Sequence, residues 1–430
     1  MRNVDPCPLA MVNRCHQFCM KDHPLNKLLT SFALTLALST SAFAADPNPK
    51  DWPAVLAQAK GETVYWNAWG GADNINAYIA WAGGMVEQRY GVKVVQVKLE
   101  DTASAVAKVV AEKAAGKNEG GSVDMIWING ENFASMKKQG LLLGANWAEQ
   151  LPNRKYVDAS GKPTVKTDFT IPVEGQESPW GMAKMVFFYD SAKTDAASLP
   201  KSADDLLTWV TAHPGRFSYP TPPDFIGSSF LKQVLIEKTT DKTKLAAPVN
   251  EAEFADVTKP LFDYLDKLNP VLWRQGKEFP KNYPDMKKLM ADGEVDITFA
   301  FNPSDGSAAI AAGELPDTLR SFTFPGGTLG NTHFVGIPYN ATAKAGALVL
   351  ADFLISPEAQ AHKQDPKVWG DPTVLNMAAL SADEKAVFDS LDLGVATLKP
   401  ADLGPALDEP HPSWMTAIEV EWKKRYGAEK

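Results

Sequence analysis

The alternation of strand-like and helix-like segments between residues 62 and 128 constrains this chain more than any other feature. Glu62-Thr63-Val64-Tyr65-Trp66-Asn67-Ala68-Trp69 is rich in β-branched and aromatic residues and suits a buried strand, which Gly70-Gly71 turns. Ile75, Ile79, Ala82 and Val86 then recur at i, i+4, i+7 and i+11, one apolar stripe of a helix that Gly91 ends. Val92 to Leu99 alternates Val with Lys and Gln as a second strand. Ala103 to Ala115 forms helix strongly, Gly120-Gly121 breaks it, and Val123-Asp124-Met125-Ile126-Trp127-Ile128 makes a third strand. Strand, helix, strand, helix, strand at this spacing predicts a parallel sheet built from βαβ units.

The middle of the chain is more broken. Ser178-Pro179-Trp180-Gly181 leads into the apolar strand Met185 to Tyr189. Leu206 to Ala212 reads as a short helix, and Arg216-Phe217-Ser218-Tyr219-Pro220 as a strand. Thr221 to Gly227 is a turn, and Ser228 is placed to cap a helix reaching about Lys238. Met286 to Met290 is helical, Asp292-Gly293-Glu294 turns, and Val295 to Phe301 is a strand. Asn302-Pro303-Ser304-Asp305-Gly306 opens onto a helix at Ser307-Ala308-Ala309-Ile310. From Thr342 the chain is mostly helical, with Ser356-Pro357-Glu358 as a clear start, and no internal repeat or low-complexity stretch interrupts it.

The N-terminus points to export. Lys21 and Lys27 precede the apolar run Leu28 to Leu38, and Ala42-Phe43-Ala44 supplies small residues where a signal peptidase reads them. That order is a secretory signal cleaved after Ala44, an uncleaved anchor helix being the alternative. A signal starting at Met20 has ordinary length, whereas Met1 adds a polar leader, so either methionine could be the start. Cys7, Cys15 and Cys19 lie in that leader beside His16 and His23. The exported chain therefore has no cysteine, hence no disulfide, thiolate nucleophile, Cys-based metal site or lipid anchor. Cleavage removes four Lys/Arg of 43 and two Asp/Glu of 52, leaving 386 residues of net charge −11. That length exceeds a single hydrophobic core and implies two domains. An acidic chain without a basic cluster excludes nucleic acid and anionic membranes as partners.

Four places share one pattern, in which an apolar strand ends, a small polar loop turns, and a helix begins. They are Trp69-Gly70-Gly71-Ala72-Asp73-Asn74, Asn129-Gly130-Glu131-Asn132, Pro222 to Ser228, and Asn302-Pro303-Ser304-Asp305. Open α/β sheets bind ligands at the carboxyl ends of their strands, where helix starts offer free N–H groups. Glycines allow close backbone approach, and Trp69 adds an apolar face. Any one of these loops alone reads as a plain helix cap; two in each half of the chain do not.

The phrases VYWNAWGGADNINAYIAW, DMIWINGENF, SPWGMAKMVFFYDS, FSYPTPPDFIGSSFL, FAFNPSDGSAAI and GTLGNTHFVGIPYNA resemble the periplasmic component of YnjBCD-type ABC importers. More broadly they resemble type II solute-binding proteins, which include thiamine- and iron(III)-binding members. The likeness covers essentially the whole exported chain. It implies an α/β, two-lobe type II periplasmic-binding fold, each lobe a mixed, mostly parallel sheet flanked by helices, with ligand in the cleft. The corresponding division is 1–44 leader and signal, 45–190 lobe one, 191–318 lobe two, and 319–430 the return to lobe one. Matched motif by motif, the resemblance assigns Trp69, Gly70, Asn74, Asn129, Glu131, Trp180, Tyr219, Asp224, Asn302, Asn331, Thr332 and His333 to ligand binding. It further implies a periplasmic monomer serving a membrane permease and ATPase. Iron-binding relatives use adjacent tyrosines, and no Tyr-Tyr occurs here, which argues against ferric iron.

The competing class is a secreted α/β hydrolase or transferase. The exported chain has only His213, His333, His362 and His411, and no H-E-x-x-H, G-x-S-x-G, Walker A or G-x-G-x-x-G motif. No catalytic residue, cofactor or metal site is therefore expected. For the ligand, helix N-termini favour an anion. Asp73, Glu131, Asp224 and Asp305 nevertheless occupy the proposed cleft loops with no Arg or Lys among them. Carboxylates together with Trp69, Trp180 and Tyr219 suit an organic cation or zwitterion, thiamine-like compounds among them.

Overall fold

A computed structural model describes residues 46–144, 146–399 and 402–427. The signal, the three cysteines, His16 and His23 lie outside the described residues. The strands β1 (Thr63–Trp69), β2 (Lys93–Leu99) and β3 (Met125–Ile128) form as the pattern predicts, with β1 paired in parallel to both others. Thr63 stands opposite Lys93 and Trp69 opposite Leu99, so β1 and β2 end level and their exit loops open side by side. The helix Asp73–Tyr90 buries Ile75, Ile79, Ala82 and Val86, and Gly91 ends it at a φ of +69°, a conformation that suits glycine.

Both faces of this sheet are covered. Met125 joins the core beneath the helices Trp52–Ala59, Asp73–Tyr90 and Lys344–Leu354, while Ile126 and Ile128 join a cluster with the helices Ala103–Ala114 and Gly130–Lys138. Burial on both sides is why β1 and β3 are rich in apolar residues, whereas the edge strand β2 is only half-buried and carries Lys93, Gln96 and Lys98.

The hairpin strands β4 (Thr167–Asp168) and β5 (Ile171–Pro172) precede the strand β6 (Glu177–Lys184), which continues through Met185 into β7 (Val186–Asp190). A second sheet places β7 between β8 (Ile297–Ala300) and β9 (Leu319–Phe322), both antiparallel to it. The chain returns along β10 (Thr328–Gly336), antiparallel to β6 from Gly330–Lys184 to Gly336–Glu177, with an irregularity between His333 and Phe334. β10 also meets β3 through Phe334, Val335 and Gly336, and the short β11 (Ala406–Leu407) through Thr328 and Leu329. The β6–β10 pair thus carries the chain twice between the sheet of β1–β3 and that of β7–β9.

The second sheet has its own core, where Phe187, Phe217, Phe230 and Phe299 pack with the helices Ala203–Ala212, Phe225–Lys238 and Glu251–Leu268. Beyond residue 319 the helices divide. Lys344–Leu354 and Pro357–Gln364 bury side chains in the first core, whereas the C-terminal helix Pro412–Tyr426 puts Trp414, Ile418 and Trp422 into the second.

Two local expectations are corrected. Residues 216–220, buried from Phe217 on, form no ladder: the Arg216 carbonyl accepts from Asp296 and the Phe217 carbonyl from Trp273, while Pro220 has no N–H to give. The helix expected to start at Ser228 begins at Phe225, because the Asp224 carboxylate accepts the N–H groups of Ile226 and Gly227 at 3.0 and 3.3 Å. Ser228 is buried instead and donates to Glu419.

Candidate functional site

The loop after β1 is built for close approach. Gly70 N–H donates to Leu99 O at 2.9 Å, and a Cβ there would stand 2.6 Å from Lys98 Cβ. A Cβ on Gly71 would overlap the Trp69 ring. The helices at Asp73, Gly130 and Asp305 all begin without a side-chain cap from the preceding Ala72, Asn129 or Ser304, and the Gly130 N–H is taken instead by Asp168 Oδ2 at 2.7 Å. Of the four loops, only that of Asp224 carries an ordinary side-chain cap. A cavity of about 390 Å³ lies between Gly70–Asn74 on one side and Pro284, Lys287, Asp305 and Ala308 on the other. Its wall mixes Asp73, Asp305 and Glu314 with Lys287 and Lys367, and its volume suits a small metabolite.

Beside this cavity, carboxylates from separate elements gather. Asp101 follows β2, Glu131 opens the helix Gly130–Lys138, Asp224 caps Phe225–Lys238, and Glu419 comes from the C-terminal helix. Asp101 repels all three of the others. Burial pushes the Glu131 carboxyl up to about 7, Lys232 only partly offsetting it, and Glu131 Oε2 has no hydrogen-bond partner. Burial lifts Glu419 to about 7 as well. It also raises Asp224, although the N–H groups of Gly227, Ile226 and Tyr283 oppose the shift. Desolvation and like charge act in one direction here, towards retaining protons or recruiting a cation.

Under the crossing strands lies an aromatic nest. Trp180 packs against Trp66, Trp127 and Trp369 with ring centroids 5.1–5.3 Å apart. Inside it Lys363 Nζ sits 2.8 Å from Asp371 Oδ2, both side chains fully buried, and 4.7 Å from the Trp180 ring. Burial alone would raise Asp371, but Lys363 and His333 hold it below the usual carboxylate range. His333 Nδ1 lies 3.4 Å from Asp371 Oδ1, and the His333 ring stacks on Trp369 at an interplanar angle of 18°. A side chain at position 181 would overlap this ion pair, which is why glycine follows Trp180.

The residues expected to bind ligand therefore divide. Gly70 and Asn74 line the cavity beside Trp69; Asn129, Glu131, Asp224 and Asn302 are partly exposed around the turns that open helices, and His333 is partly exposed within β10. Asn302 holds its own turn, accepting from Ser304 N–H at 2.9 Å and donating to Trp369 O. Tyr219 stands elsewhere: it is wholly buried in the second core, its hydroxyl bonded to Asn269 and Trp422, each at 2.9 Å. Trp180 and Thr332 are also buried, Thr332 against Thr164, and Asn331 donates to Glu409. Strand alternation sends the successive Asn331 and Thr332 to opposite faces of β10, Asn331 reaching a separate cavity of about 680 Å³ with Glu409. Asp101, Lys232 and Glu419 escaped the sequence reading. Glu100-Asp101-Thr102 has the same strand-to-helix placement as the other loops but lacks their glycine, and Lys232 and Glu419 sit inside helices.

Comparison with known proteins shows the family and the fold. A family model described as bacterial extracellular solute-binding protein matches residues 84–387. The chain is 44% identical over 388 residues to protein YnjB of Escherichia coli (strain K12), covering 90% of this chain and 97% of that protein. Among solved structures it resembles the periplasmic binding protein AfuA of Actinobacillus pleuropneumoniae, with TM-score 0.58, 16% identity, and coverage of 85% and 99%. It also resembles the spermidine/putrescine substrate-binding protein PotD of Streptococcus pneumoniae, with TM-score 0.54, 15% identity, and coverage of 85% and 98%. Iron-bound HitA of Pseudomonas aeruginosa matches with TM-score 0.53, 18% identity, and coverage of 84% and 98%. Identities this low establish the shared two-lobe fold alone. The family and its neighbours are transport proteins, so the hydrolase or transferase alternative falls. No helix among the described residues is long and apolar enough to cross a membrane. The chain belongs to the bacterial extracellular solute-binding proteins, the ligand-capturing components of ABC transporters.

Proposed function

We propose that the chain is a periplasmic monomer, released by cleavage after Ala44, that captures an organic cation or zwitterion by hinge closure and delivers it to an importer's permease and ATPase. Lobe one follows the division 45–190 with the return from 319, and lobe two 191–318, except that β7 and β9 belong with the second sheet and so with lobe two, on which the C-terminal helix also rides. The β6–β10 pair is the hinge, since it joins the two sheets. The ligand occupies the space between the loops at Trp69, Gly70 and Asn74, Asn129 and Glu131, Asp224, and Asn302, with His333 nearby.

The gathering of Asp101, Glu131, Asp224 and Glu419 carries the charge assignment. Glu131, Asp224 and Glu419 are partly desolvated, the exposed Asp101 adds like charge to each, and a bound cation relieves that repulsion. Uncapped helix starts and Lys287 at the neighbouring cavity could also receive a carboxylate, which is why a zwitterion fits the same site. Thiamine-like compounds meet this description by combining a flat aromatic body with positive charge. Mass spectrometry of the small molecule released from natively purified protein tests the reading. A positively charged or zwitterionic compound is expected; a purely anionic one refutes the charge assignment and leaves the receptor role intact.

A further inference from the structure

Lys232 projects from the middle of the helix Phe225–Lys238 and is 0% exposed, a costly position for an ammonium unless it is well partnered. Its Nζ lies 2.7 Å from Glu409 Oε2, 4.3 Å from the Phe169 ring centroid and 5.1 Å from that of Phe225. Glu131, Asp168 and Glu419 also lie within reach of its charge. Phe169 is held at this position with some effort. It occupies the β4–β5 turn at a φ of +51°, which bulky residues adopt only under constraint. Its ring covers Gly130, where a Cβ would approach it to 2.6 Å, and Asp168 Oδ2 accepts the Gly130 N–H at 2.7 Å. Asp168, 1% exposed, keeps Oδ1 without a partner beside the niche.

Aromatic faces and carboxylates around an ammonium are what a protein assembles to recognise an alkylammonium ligand. Here the chain fills that niche with its own side chain, which Phe225 flanks from the same helix and Phe169 from the β4–β5 turn. We propose that Lys232 is a specificity-determining residue: it is a buried cation beside the carboxyl cluster, and by occupying one ammonium niche it limits the ligand to a single positive charge. This rests on the cation reading above. With Lys232 present, Glu409 is neutralised and a second ammonium on the ligand would meet like charge. Without it, the niche becomes a vacant site for that second ammonium.

The test uses the exported chain with Lys232→Ala, Lys232→Met and wild type, and three probes: ethylammonium, n-pentylammonium and 1,5-diammoniopentane. Ethylammonium chloride should raise the melting midpoint of Lys232→Ala saturably, with sodium chloride as control, and leave wild type unmoved. In calorimetry, wild type should prefer the monoamine, and Lys232→Met should shift preference towards the diamine by about tenfold or more. Should Lys232→Ala fold only when ethylammonium is present, that also supports the proposal. If ethylammonium acts no differently from sodium, or Lys232→Met keeps the wild-type preference, the Lys232 proposal is overturned while the cation reading stands. If no form binds either amine and the natively released ligand is anionic, the cation reading fails and takes this proposal with it.

Discussion

Replacing Lys363 by Met should destabilise the protein far more than removing an ordinary surface lysine would. Lys363 and Asp371 are both fully buried, 2.8 Å apart, and enclosed by Trp180 and Trp369. Methionine is close to lysine in volume, so the variant leaves little cavity and isolates the charge effect. What remains is a buried carboxylate with only His333, 3.4 Å away, to oppose its charge. Breaking one half of a buried pair costs about 3–5 kcal/mol. At about 2.1 cal/mol/K of unfolding entropy per residue, that corresponds to a midpoint lowered by roughly 4–6 °C for a chain this long. The surrounding tryptophans make intrinsic fluorescence a direct reporter, and guanidinium titration gives the free energy. The double variant Lys363→Met/Asp371→Asn should recover most of the loss, since neither charge is then left alone. A single variant within about 1 kcal/mol of wild type, or a double variant no better than the single, would refute the reasoning.

Four further outcomes are expected. Asp224→Asn should weaken cation binding by about a hundredfold or more in calorimetry while lowering stability by only about 1 kcal/mol; unchanged affinity would make Asp224 a helix cap and nothing else. Glu131 and Glu419 have folded values near 7, above their ordinary 4.5. Their contribution to ligand-free stability is therefore full below about 4.5 and is lost as pH rises through about 7, so the midpoint should be higher at pH 5.5 than at pH 8. Affinity for a cation should run the opposite way, rising over that interval as the two carboxyls ionise, and a flat titration would count against them as cleft groups. Small-angle scattering should show a smaller radius of gyration with saturating ligand, an unchanged value arguing against hinge closure. N-terminal sequencing of the exported protein should begin at Ala45, and retention of Leu28 to Leu38 would overturn cleavage.

The sequence by itself determined what depends on short-range order. The apolar stripe Ile75–Ile79–Ala82–Val86, the strands on either side of it and three of the four expected strand-to-helix loops are local patterns, and the first sheet follows them. The family was legible for the same reason, because its motifs are contiguous phrases. Gly70 and Asn74 line a cavity through their own loop, close to each other in the chain. Tyr219, by contrast, has its fate set by Asn269 and Trp422, which lie 50 and 203 residues away. Asp224 rather than Ser228 starts its helix because a carboxylate reaches two backbone N–H groups there, while Ser228 is drawn to Glu419, 191 residues on. Charge shows the division most sharply. The loops read as acidic and free of lysine, yet folding brings Lys232 from a helix interior to Glu409 and seats Lys363 against Asp371. An ion pair between distant residues is decided by packing, because only burial makes the partner obligatory. Periodicity and turn chemistry act over a few residues and can be read from the chain, whereas desolvation is a property of the assembled molecule.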